Sequence, residues 1–573
     1  MTTDLAAEPA DEPRGGLRAF VTAVLLAVAF FAAIAPTLSL QPFASGSENL
    51  NVQTVLEMRR GGPWLVPTLR GYPRTIKPPL TAWTNAAFVS PDTVAALGNP
   101  DATTREAAYR QLAWEIRWPT LALSCITIAL IFEMGRLLGG YRVGLAAGVV
   151  AGTTILFARF GRMATTDVQL ALWVTATNVL LLHAVLRGRW WGGCLGAGAA
   201  LGLAFMSKGP VALVQTLVPF VAVAGWMAWR RPPTDLPDPR RRPRWGAIAA
   251  GLALMLVIAL PWWVWVLYNT PDIVEAWVRE TTRKGATNLE PDPWYNYLSS
   301  LPWMFPWLVF FVIGLIMTAQ AAWRGDRRQA MALGLLLAPI VVMSFFQDKP
   351  TRYLQPLLAP AAVITAIALG GQWRAWCDRP HVDRVLAVIH WVGLAVAIVG
   401  LALAGSFGWI ESVDGAPWFP ARLALPLAVV GLALLAVFIW LSLRRPLALL
   451  VGTAALMLAI LPAFVVGYAR SRNGTPETKA ITDHLWATAP HAEVVVYIPS
   501  FRRSPPMDLL IYSNRVLPVV DSLDGSAEAR RADRAIFLRS GDESDAVVPD
   551  GWQLERQWQW GDRRTWSLFR RTR

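Results

Sequence analysis

Four of the five lysines in the sequence lie in polar segments between long apolar runs: Lys77, Lys208, Lys284 and Lys349. If the apolar runs cross a membrane in alternating directions, all four lysines fall on the same side of it. Further cations lie in the same segments: Arg279, Arg283 and Arg352. The lysine ammonium is a compact, strongly hydrated charge that binds phosphate. Snorkelling toward lipid headgroups explains any one of these lysines alone. For the four together, an anionic headgroup bound at that membrane face explains their positions equally well.

Two carboxylates stand out on the same side. Glu48 follows the first apolar run in "SGSEN", and Asp167 lies at the start of a later run in "RMATTDVQLALW". A carboxylate at a membrane boundary is unfavourable unless it is paired or functional. Asp167 also suits a helix N-cap, as do Thr165 and Thr166, and capping is compatible with catalysis. Glu48 also fits a simpler description as a solvated loop residue. We take both as candidate catalytic carboxylates.

The elements that must position these residues are membrane helices. The chain has 573 residues, of which 54% are hydrophobic and only 16% charged, whereas a soluble domain is about one quarter charged. Apolar runs recur with the length of a bilayer-spanning helix, about 20 residues. The first run, Leu17 to Leu40, is too long for a cleaved signal peptide and is interpreted as a retained span.

The sequence predicts a polytopic α-helical membrane protein with about 13 transmembrane helices. The candidate spans are 17–38, 113–134, 143–158, 167–186, 192–206, 210–229, 246–268, 302–322, 330–346, 354–371, 385–404, 422–442 and 447–468. The short loops rich in arginine all fall on one side, which the positive-inside rule makes cytoplasmic. These loops also account for the net charge of +14, so no nucleic-acid partner is predicted. The three cysteines suggest neither a disulfide framework nor a metal site.

This topology divides the chain into three parts. Residues 1–16 form a cytoplasmic tail, residues 17–468 the transmembrane domain, and residues 469–573 an extracytoplasmic domain. The first extracytoplasmic loop covers residues 41–111. In the last part, "EVVVYIP" and "RAIFLRS" are typical of strands, and "WQLERQWQWG" with "RTWSLFRR" is typical of a closing hairpin. We therefore expect a small α/β domain of usual size there.

Five segments in order over residues 17–370 carry a resemblance: "SENLNVQTVLEMRRGGPWLVPTLRGYPRTIKPPLTAW", "RMATTDVQLALW", "GLAFMSKGPVAL", "PDPWYNYLSSLPWMFPW" and "FQDKPTRYLQPLLAPAAV". They resemble the motifs of the polytopic glycosyltransferases of fold C, which use polyprenyl-phosphate sugars. The most similar branches are the lipid A aminoarabinose transferases and the protein O-mannosyltransferases.

The resemblance implies a reaction. The donor is a sugar on a polyprenyl phosphate in the outer leaflet of a bacterial inner membrane. A hydroxyl or phosphate of a lipid, glycan or protein acceptor attacks the anomeric carbon with inversion, and polyprenyl phosphate leaves. A carboxylate removes the acceptor proton as general base, and cations neutralise the charge that develops on the phosphate. Membrane lipids surround the enzyme, and no cofactor is implied.

The resemblance also assigns roles to residues. Lys77 matches the lysine of the family's "KPP" motif and Arg352 the arginine of its "PRY" motif, so both are expected to bind the donor phosphate. Lys349 and Lys208 are second choices for the donor site, and Tyr353 of the "PRY" motif completes it. Asp167 matches the second acidic position, near the sugar.

Three departures from the family pattern bear on the chemistry. The family's acidic pair aligns with Ser47 and Glu48, so Glu48 must serve alone, unless the activity differs or is lost. Ile76 replaces a glutamate that joins a histidine in a metal site of aminoarabinose transferases. That histidine is also missing, because residues 269–301 contain none. We therefore predict no bound metal, and these losses argue against aminoarabinose as the donor sugar.

Two other classes of function are also consistent with cations at a membrane face. A transporter or flippase for a lipid-linked anion needs such cations, although it tends to have charges at mid-membrane and repeated halves. A non-catalytic protein of the same fold, which binds a polyprenyl lipid without transferring sugar, is the other alternative.

Overall fold

The structure of the protein is a computed structural model. It describes residues 13–43, 46–230, 243–282, 292–346, 349–378, 380–406, 429, 432–433, 435–441, 446–472, 475–497, 507–515, 517–520, 522–523, 527–540, 550–560 and 564–572.

The first part of the chain is helical. Its α-helices are α1 (Pro13–Ile34), α2 (Gly46–Arg59), α3 (Leu80–Ala86), α4 (Pro91–Ala96), α5 (Ala102–Gly139), α6 (Tyr141–Thr153), α7 (Ile155–Phe160), α8 (Thr166–Arg187), α9 (Trp190–Lys208), α10 (Val211–Arg230), α11 (Trp245–Asn269), α12 (Ile273–Thr282), α13 (Leu308–Trp323), α14 (Arg327–Met343), α15 (Leu358–Asp378), α16 (Pro380–Ser406) and α17 (Pro446–Arg472). Two 3₁₀ segments, Asn296–Met304 and Thr351–Leu357, precede α13 and α15.

Six of the described helices are long and apolar enough to cross a membrane: Gly16–Thr37, Ala102–Gly139, Thr166–Arg187, Val211–Arg230, Trp245–Asn269 and Thr351–Gly370. A bent pair, Asn296–Met304 with Leu308–Trp323, raises the number to seven if it forms one span. The chain is therefore a multi-pass membrane protein, as predicted. The finer count of about 13 spans is not confirmed, and most of the predicted span 422–442 lies outside the described residues.

Helices α8 and α9 form an antiparallel hairpin, because Gly188 ends α8 in the left-handed conformation (φ 69°) and only one residue separates it from α9. The start of α8 and the end of α9 therefore lie at the same end of the bundle. Helix α11 packs closely on α9 where two glycines meet. A Cβ added to Gly198 would lie 2.0 Å from the carbonyl oxygen of Gly251, so this crossing depends on small residues.

The first loop carries α2 and a short hairpin of β1 (Thr68–Leu69) with β2 (Tyr72–Pro73). Glu57 of α2 fixes the tip of this hairpin, since its carboxylate accepts the backbone N–H groups of Arg70 (2.7 Å) and Gly71 (3.1 Å). Both tip residues have positive φ. The segment that leads to Lys77 is thus held against α2.

The region after α17 contains a five-stranded sheet in the order β4-β3-β5-β7-β6. Its elements are α18 (Thr475–Thr488), β3 (Val494–Tyr497), α19 (Met507–Tyr512), β4 (Val519–Val520), α20 (Ala527–Arg531), β5 (Arg534–Ser540), β6 (Trp552–Trp560) and β7 (Arg564–Arg571). Strand β3 pairs in parallel with β4 and β5, whereas β7 pairs antiparallel with β5 and β6. Strands β6 and β7 form a hairpin where the sequence predicted one.

Candidate active site

Asp167 lies at the centre of a charged cluster at the start of α8. Its side chain is only 3% exposed and forms an ion pair with Lys208 at the end of α9. The Nε of Arg352 lies 3.7 Å from the other carboxylate oxygen. The Lys208 ammonium also lies 3.8 Å from the centre of the Tyr353 ring. Four residues predicted from three separate motifs therefore meet at one place.

Secondary structure explains why these residues meet. The α8–α9 hairpin brings Asp167 and Lys208 together, and the 3₁₀ segment that starts at Thr351 adds Arg352 and Tyr353. Helix α10 supports the 3₁₀ segment, because Gln215 donates from Nε2 to the carbonyl of Tyr353 at 3.2 Å. Thr165 occupies the N-cap position of α8, but its side chain makes no capping hydrogen bond. Asp167 therefore lies in the first helical turn, where a carboxylate also interacts favourably with the helix dipole.

The cluster carries two cations and one carboxylate, so one positive charge is in excess. The side chain of Arg352 is 38% exposed, whereas that of Lys208 is 7% exposed. Lys208 thus serves mainly to neutralise and orient Asp167. Arg352 is the cation that a ligand from outside can reach, and a guanidinium suits a phosphate group.

Lys77 lines a pocket next to this cluster. The polar residues around the pocket are Asn51, Thr54, Arg74, Lys77, Thr81 and Thr166. Thr166 immediately precedes Asp167, so the pocket and the cluster share the start of α8. Arg74 is a second cation of the pocket that the sequence analysis missed. It donates from Nη1 to Thr54 Oγ1 at 2.9 Å and to the carbonyl of Leu50 at 3.3 Å.

The two prolines after Lys77 lead into α3, which is bound to α8. Pro79 is the N-cap residue of α3. Thr81 donates to Oε1 of Gln169 at 3.2 Å, and Nε2 of Gln169 donates to Thr84 at 2.7 Å. These hydrogen bonds fix α3, and with it the segment of Lys77, relative to the helix that carries Asp167.

Glu48 lies in the first turn of α2 and is almost fully buried. Arg117 of α5 donates to both of its carboxylate oxygens at 2.8 Å. The backbone N–H of Ala164 donates to Oε1 at 3.0 Å. Burial raises the pKa of Glu48, but the charge and hydrogen bonds of Arg117, the Ala164 amide and the charge of Arg162 outweigh burial, so the pKa is below its usual value.

Arg117 and Arg162 tie the end of the first span to this carboxylate. Arg117 also donates to the carbonyls of Leu38, Gln41 and Pro42. Arg162 donates to the carbonyl of Thr37 at 3.0 Å and to the side chain of Gln41. Burial, together with the charge of Arg117, lowers the pKa of Arg162 to about 9 despite the opposing effect of Glu48. The two arginines and one glutamate leave one buried positive charge.

Neither arginine was predicted from the sequence as a site residue, although the position of Arg117 carried a signal. Arg117 lies inside the predicted span 113–134, and a charged residue within a span is by default a functional candidate. Its partner Glu48 is 69 residues away in the chain, so the pairing itself could not be inferred.

The Glu48 ion pair also positions the start of α8. Glu48 accepts the N–H of Ala164, while Asn51 donates from Nδ2 to the carbonyl of the same residue at 3.1 Å. Ala164 is three residues before Asp167. The geometry therefore gives Glu48 a positioning contact, and its predicted role as catalytic base stays a prediction.

Lys349 forms hydrogen bonds with a neighbouring chain segment, mainly through backbone groups. Its ammonium donates to the carbonyls of Asp292 (2.7 Å) and Phe346 (2.6 Å), and its backbone N–H donates to the Asp292 carboxylate at 2.8 Å. It is buried and joins two chain segments. Lys284 and Arg283 lie outside the described residues, as does the side chain of Arg279.

Among the described residues, no group of three or more His, Cys, Asp or Glu side chains could hold a metal ion. Ile76, which precedes Lys77 of the pocket, is 42% exposed. The expectation of a metal-free site stays a prediction.

The chain is similar to polytopic membrane glycosyltransferases of fold C, in its fold and in part of its sequence. Residues 109–265 match the family described as dolichyl-phosphate-mannose-protein mannosyltransferase. The crystal structure of ArnT from Cupriavidus metallidurans in the apo state superimposes with a TM-score of 0.68 at 18% identity, covering 97% of this chain and 98% of ArnT. The structure of the same ArnT bound to undecaprenyl phosphate gives a TM-score of 0.66 with the same identity and coverage. The resemblance inferred from the motifs is confirmed.

The curated relatives are similar in sequence as well. An undecaprenyl phosphate-alpha-4-amino-4-deoxy-L-arabinose arabinosyl transferase of Sodalis glossinidius (strain morsitans) is 28% identical over 383 residues, which are 63% of this chain and 61% of the relative. The protein of the same function from Serratia proteamaculans (strain 568) is 25% identical over 404 residues, 68% of this chain and 66% of the relative. The chain thus matches about three fifths to two thirds of the length of these relatives.

Proposed function

We propose that the protein transfers a hexosyl or pentosyl group, with inversion, from a polyprenyl-phosphate donor to a lipid, glycan or protein acceptor at the outer face of a bacterial inner membrane. The observation that carries the proposal is the position of Asp167 between Lys208 and Arg352, beside a pocket lined by Lys77 and Arg74. The relatives named as transferases of an undecaprenyl phosphate-linked sugar favour this donor.

The charges suit the departure of a lipid phosphate. When the glycosidic bond breaks, negative charge develops on the phosphate, and cations already in place stabilise that charge without reorganisation. Lys77 and Arg74 supply two such cations in the pocket, and Arg352 supplies a third in the neighbouring Asp167 cluster. Lys208 and Lys349 hold other parts of the protein, so they contribute to the donor site indirectly.

Asp167 is the carboxylate nearest to this charge. We propose that it contacts the sugar or the acceptor and that its ion pair with Lys208 keeps it oriented. A general base must reach the proton that it removes. Glu48 can act as that base only if its contacts with Arg117 rearrange, and Asp167, which is 3% exposed, only if its ion pair with Lys208 opens toward the ligand.

The membrane topology belongs to the same proposal. Residues 1–16 are placed in the cytoplasm, residues 17–468 form the transferase domain with about 13 spans and its catalytic loop at 41–111, and residues 469–573 form an extracytoplasmic α/β domain. This topology puts Lys77, Asp167 and Arg352 on the outer side, where the donor lipid is expected.

Binding of undecaprenyl phosphate to the purified full chain in nanodiscs tests the donor site. Removing a charged hydrogen-bonding partner from a ligand lowers affinity roughly 10- to 150-fold, so Lys77→Ala should weaken binding by that factor. The matched control is Arg328→Ala, which removes one exposed cation at the start of α14, away from the site. Equal affinity of Lys77→Ala and wild type would remove Lys77 from the donor site. Binding without sugar transfer would favour the non-catalytic alternative.

A further inference from the structure

Helix α19 belongs to two hydrophobic cores at once. Leu509 and Leu510 pack in the core under the C-terminal sheet. Ile511 and Tyr512 pack instead with Val52 and other residues of α2 in the core of the first loop. All four α19 side chains are buried. This helix is therefore the contact through which the sheet docks on the loop that carries Glu48 and Lys77.

Hydrogen bonds fix the docked position. The Tyr512 hydroxyl oxygen accepts the backbone N–H of Phe43 at 3.0 Å. The Tyr109 hydroxyl donates to the carbonyls of Ile511 (2.9 Å) and Tyr512 (3.0 Å), and the two tyrosine rings lie 4.9 Å apart.

Ion pairs surround this contact. Lys479 pairs with Glu106 at 2.9 Å, and Arg105 pairs with Asp483 at 3.1 Å. Each pair joins the C-terminal region to α5. Because these pairs are partly exposed, they orient the contact more than they stabilise it.

The Tyr512 hydrogen bond leads to the Glu48 ion pair. The ring of Phe43 lies 4.8 Å from the guanidinium carbon of Arg117, which is the partner of Glu48. Residues 38–43 are therefore held from one side by Arg117, through its bonds to three carbonyls, and from the other by Tyr512. Glu48 in turn accepts the backbone N–H of Ala164, which lies three residues before Asp167 at the start of α8.

We propose that Tyr512 is a positioning residue through which the C-terminal sheet orders the donor site. Its hydroxyl holds segment 38–43. This segment keeps Arg117 aligned with Glu48, and the Glu48–Arg117 pair fixes the start of α8 beside the Lys77 pocket. The proposal rests on the proposed function for the identity of the ligand. The network of contacts exists independently of that function.

The hydroxyl group is the part of Tyr512 that makes this coupling. A phenylalanine would fill the same space, but the buried N–H of Phe43 would lose its acceptor. An unsatisfied buried donor is costly, so residues 38–43 should open more often in Tyr512→Phe even though the hydrophobic contact of α19 is kept.

The test is hydrogen–deuterium exchange of the segment around Phe43 in the full chain in nanodiscs, together with the affinity for undecaprenyl phosphate. Losing one buried hydrogen bond should speed exchange there roughly 5- to 150-fold in Tyr512→Phe. The affinity of Tyr512→Phe for undecaprenyl phosphate should fall, while the fraction of folded protein stays that of the wild type. The control is Tyr497→Phe, the same change in β3, where the ring packs on Phe537 at 5.3 Å and the hydroxyl makes no hydrogen bond to a described residue.

The outcomes separate the two proposals. Unchanged exchange around Phe43 overturns the coupling, and so does faster exchange with unchanged lipid affinity. If Tyr497→Phe lowers affinity as much as Tyr512→Phe, the effect is general and the specific role of Tyr512 is wrong. If the wild type binds no undecaprenyl phosphate, the proposed function fails, and the exchange rate at Phe43 alone then decides whether Tyr512 holds the segment.

Discussion

Replacing Arg117 by methionine should destabilise the protein strongly and in a pH-dependent way. Arg117→Met keeps the volume of the side chain but removes the cation that donates to both oxygens of the buried Glu48 carboxylate. Removing one partner of a buried ion pair costs about 3–5 kcal/mol. The three carbonyls that Arg117 holds, those of Leu38, Gln41 and Pro42, lose their donor as well.

Glu48 can become neutral by binding a proton. The electrostatic part of the destabilisation in Arg117→Met therefore cannot exceed the free energy that this protonation costs. With an ordinary glutamate pKa of about 4.3, protonating the carboxylate at pH 7 costs about 3.7 kcal/mol, since each pH unit is worth about 1.36 kcal/mol. At pH 5 the same step costs only about 1 kcal/mol. In the wild type the pKa of Glu48 is lowered, so its stabilising effect is present above the pKa of the unfolded chain and is lost as the pH falls through the folded value. In Arg117→Met only the Ala164 amide and the charge of Arg162 still oppose burial, so the pKa of Glu48 should rise relative to the wild type and the deficit in stability should grow with pH.

The measurement is the free energy of unfolding of both proteins in mixed micelles, titrated with SDS at pH 5 and pH 7. The deficit of Arg117→Met should shrink from pH 7 to pH 5, by at most about 3 kcal/mol because Arg162 and the Ala164 amide still stabilise the carboxylate. The control on the same helix is Arg110→Met, because Arg110 is exposed and lies 3.8 Å from Glu106, and such pairs contribute at most about 1 kcal/mol. A deficit that does not depend on pH, or one as small as that of Arg110→Met, would refute this account of Glu48.

Three further predictions follow from the packing and the site. Lys349→Met should lower the thermal midpoint of unfolding, because the carbonyls of Asp292 and Phe346 lose their donor. The affinity for undecaprenyl phosphate should fall less than in Lys77→Ala, and an equal loss of affinity would place Lys349 in the donor site. Gly198→Ala should destabilise the contact of α9 with α11, because the new Cβ would lie 2.0 Å from a backbone oxygen, and an unchanged thermal midpoint would contradict this crossing. Arg74→Ala should weaken binding of undecaprenyl phosphate in an equilibrium titration, with Arg328→Ala again as control, and unchanged binding would exclude Arg74 as a ligand.

The sequence was sufficient to predict the members of the Asp167 cluster. Asp167, Lys208 and Arg352 each lie in a motif at the end of an apolar run, and alternation of the runs places all three on one side. Their direct contact depends on the α8–α9 hairpin and on the 3₁₀ segment before α15. These are tertiary features that periodicity alone does not determine.

The contacts of Glu48 could not be predicted from the sequence. Its partner Arg117 lies within an apolar run whose pattern indicates only a membrane span. Ala164 contributes a backbone N–H, which the residue type does not reveal. Lys349 likewise resembled the other outward lysines, yet its ammonium holds two backbone carbonyls. Residue type and side of the membrane cannot distinguish a cation that binds a ligand from one that binds backbone.

The most direct test of the account is sugar transfer itself. The purified chain is incubated with polyprenyl-phosphate sugars and acceptor lipids extracted from the native host, and mass spectrometry follows the release of free polyprenyl phosphate and the appearance of a glycosylated product. General acid–base groups contribute about 10²- to 10⁴-fold, so Asp167→Asn should lower the rate by at least about 100-fold while Arg328→Ala has the wild-type rate. No product from the wild type, or an undiminished rate in Asp167→Asn, would contradict the assignment of the site.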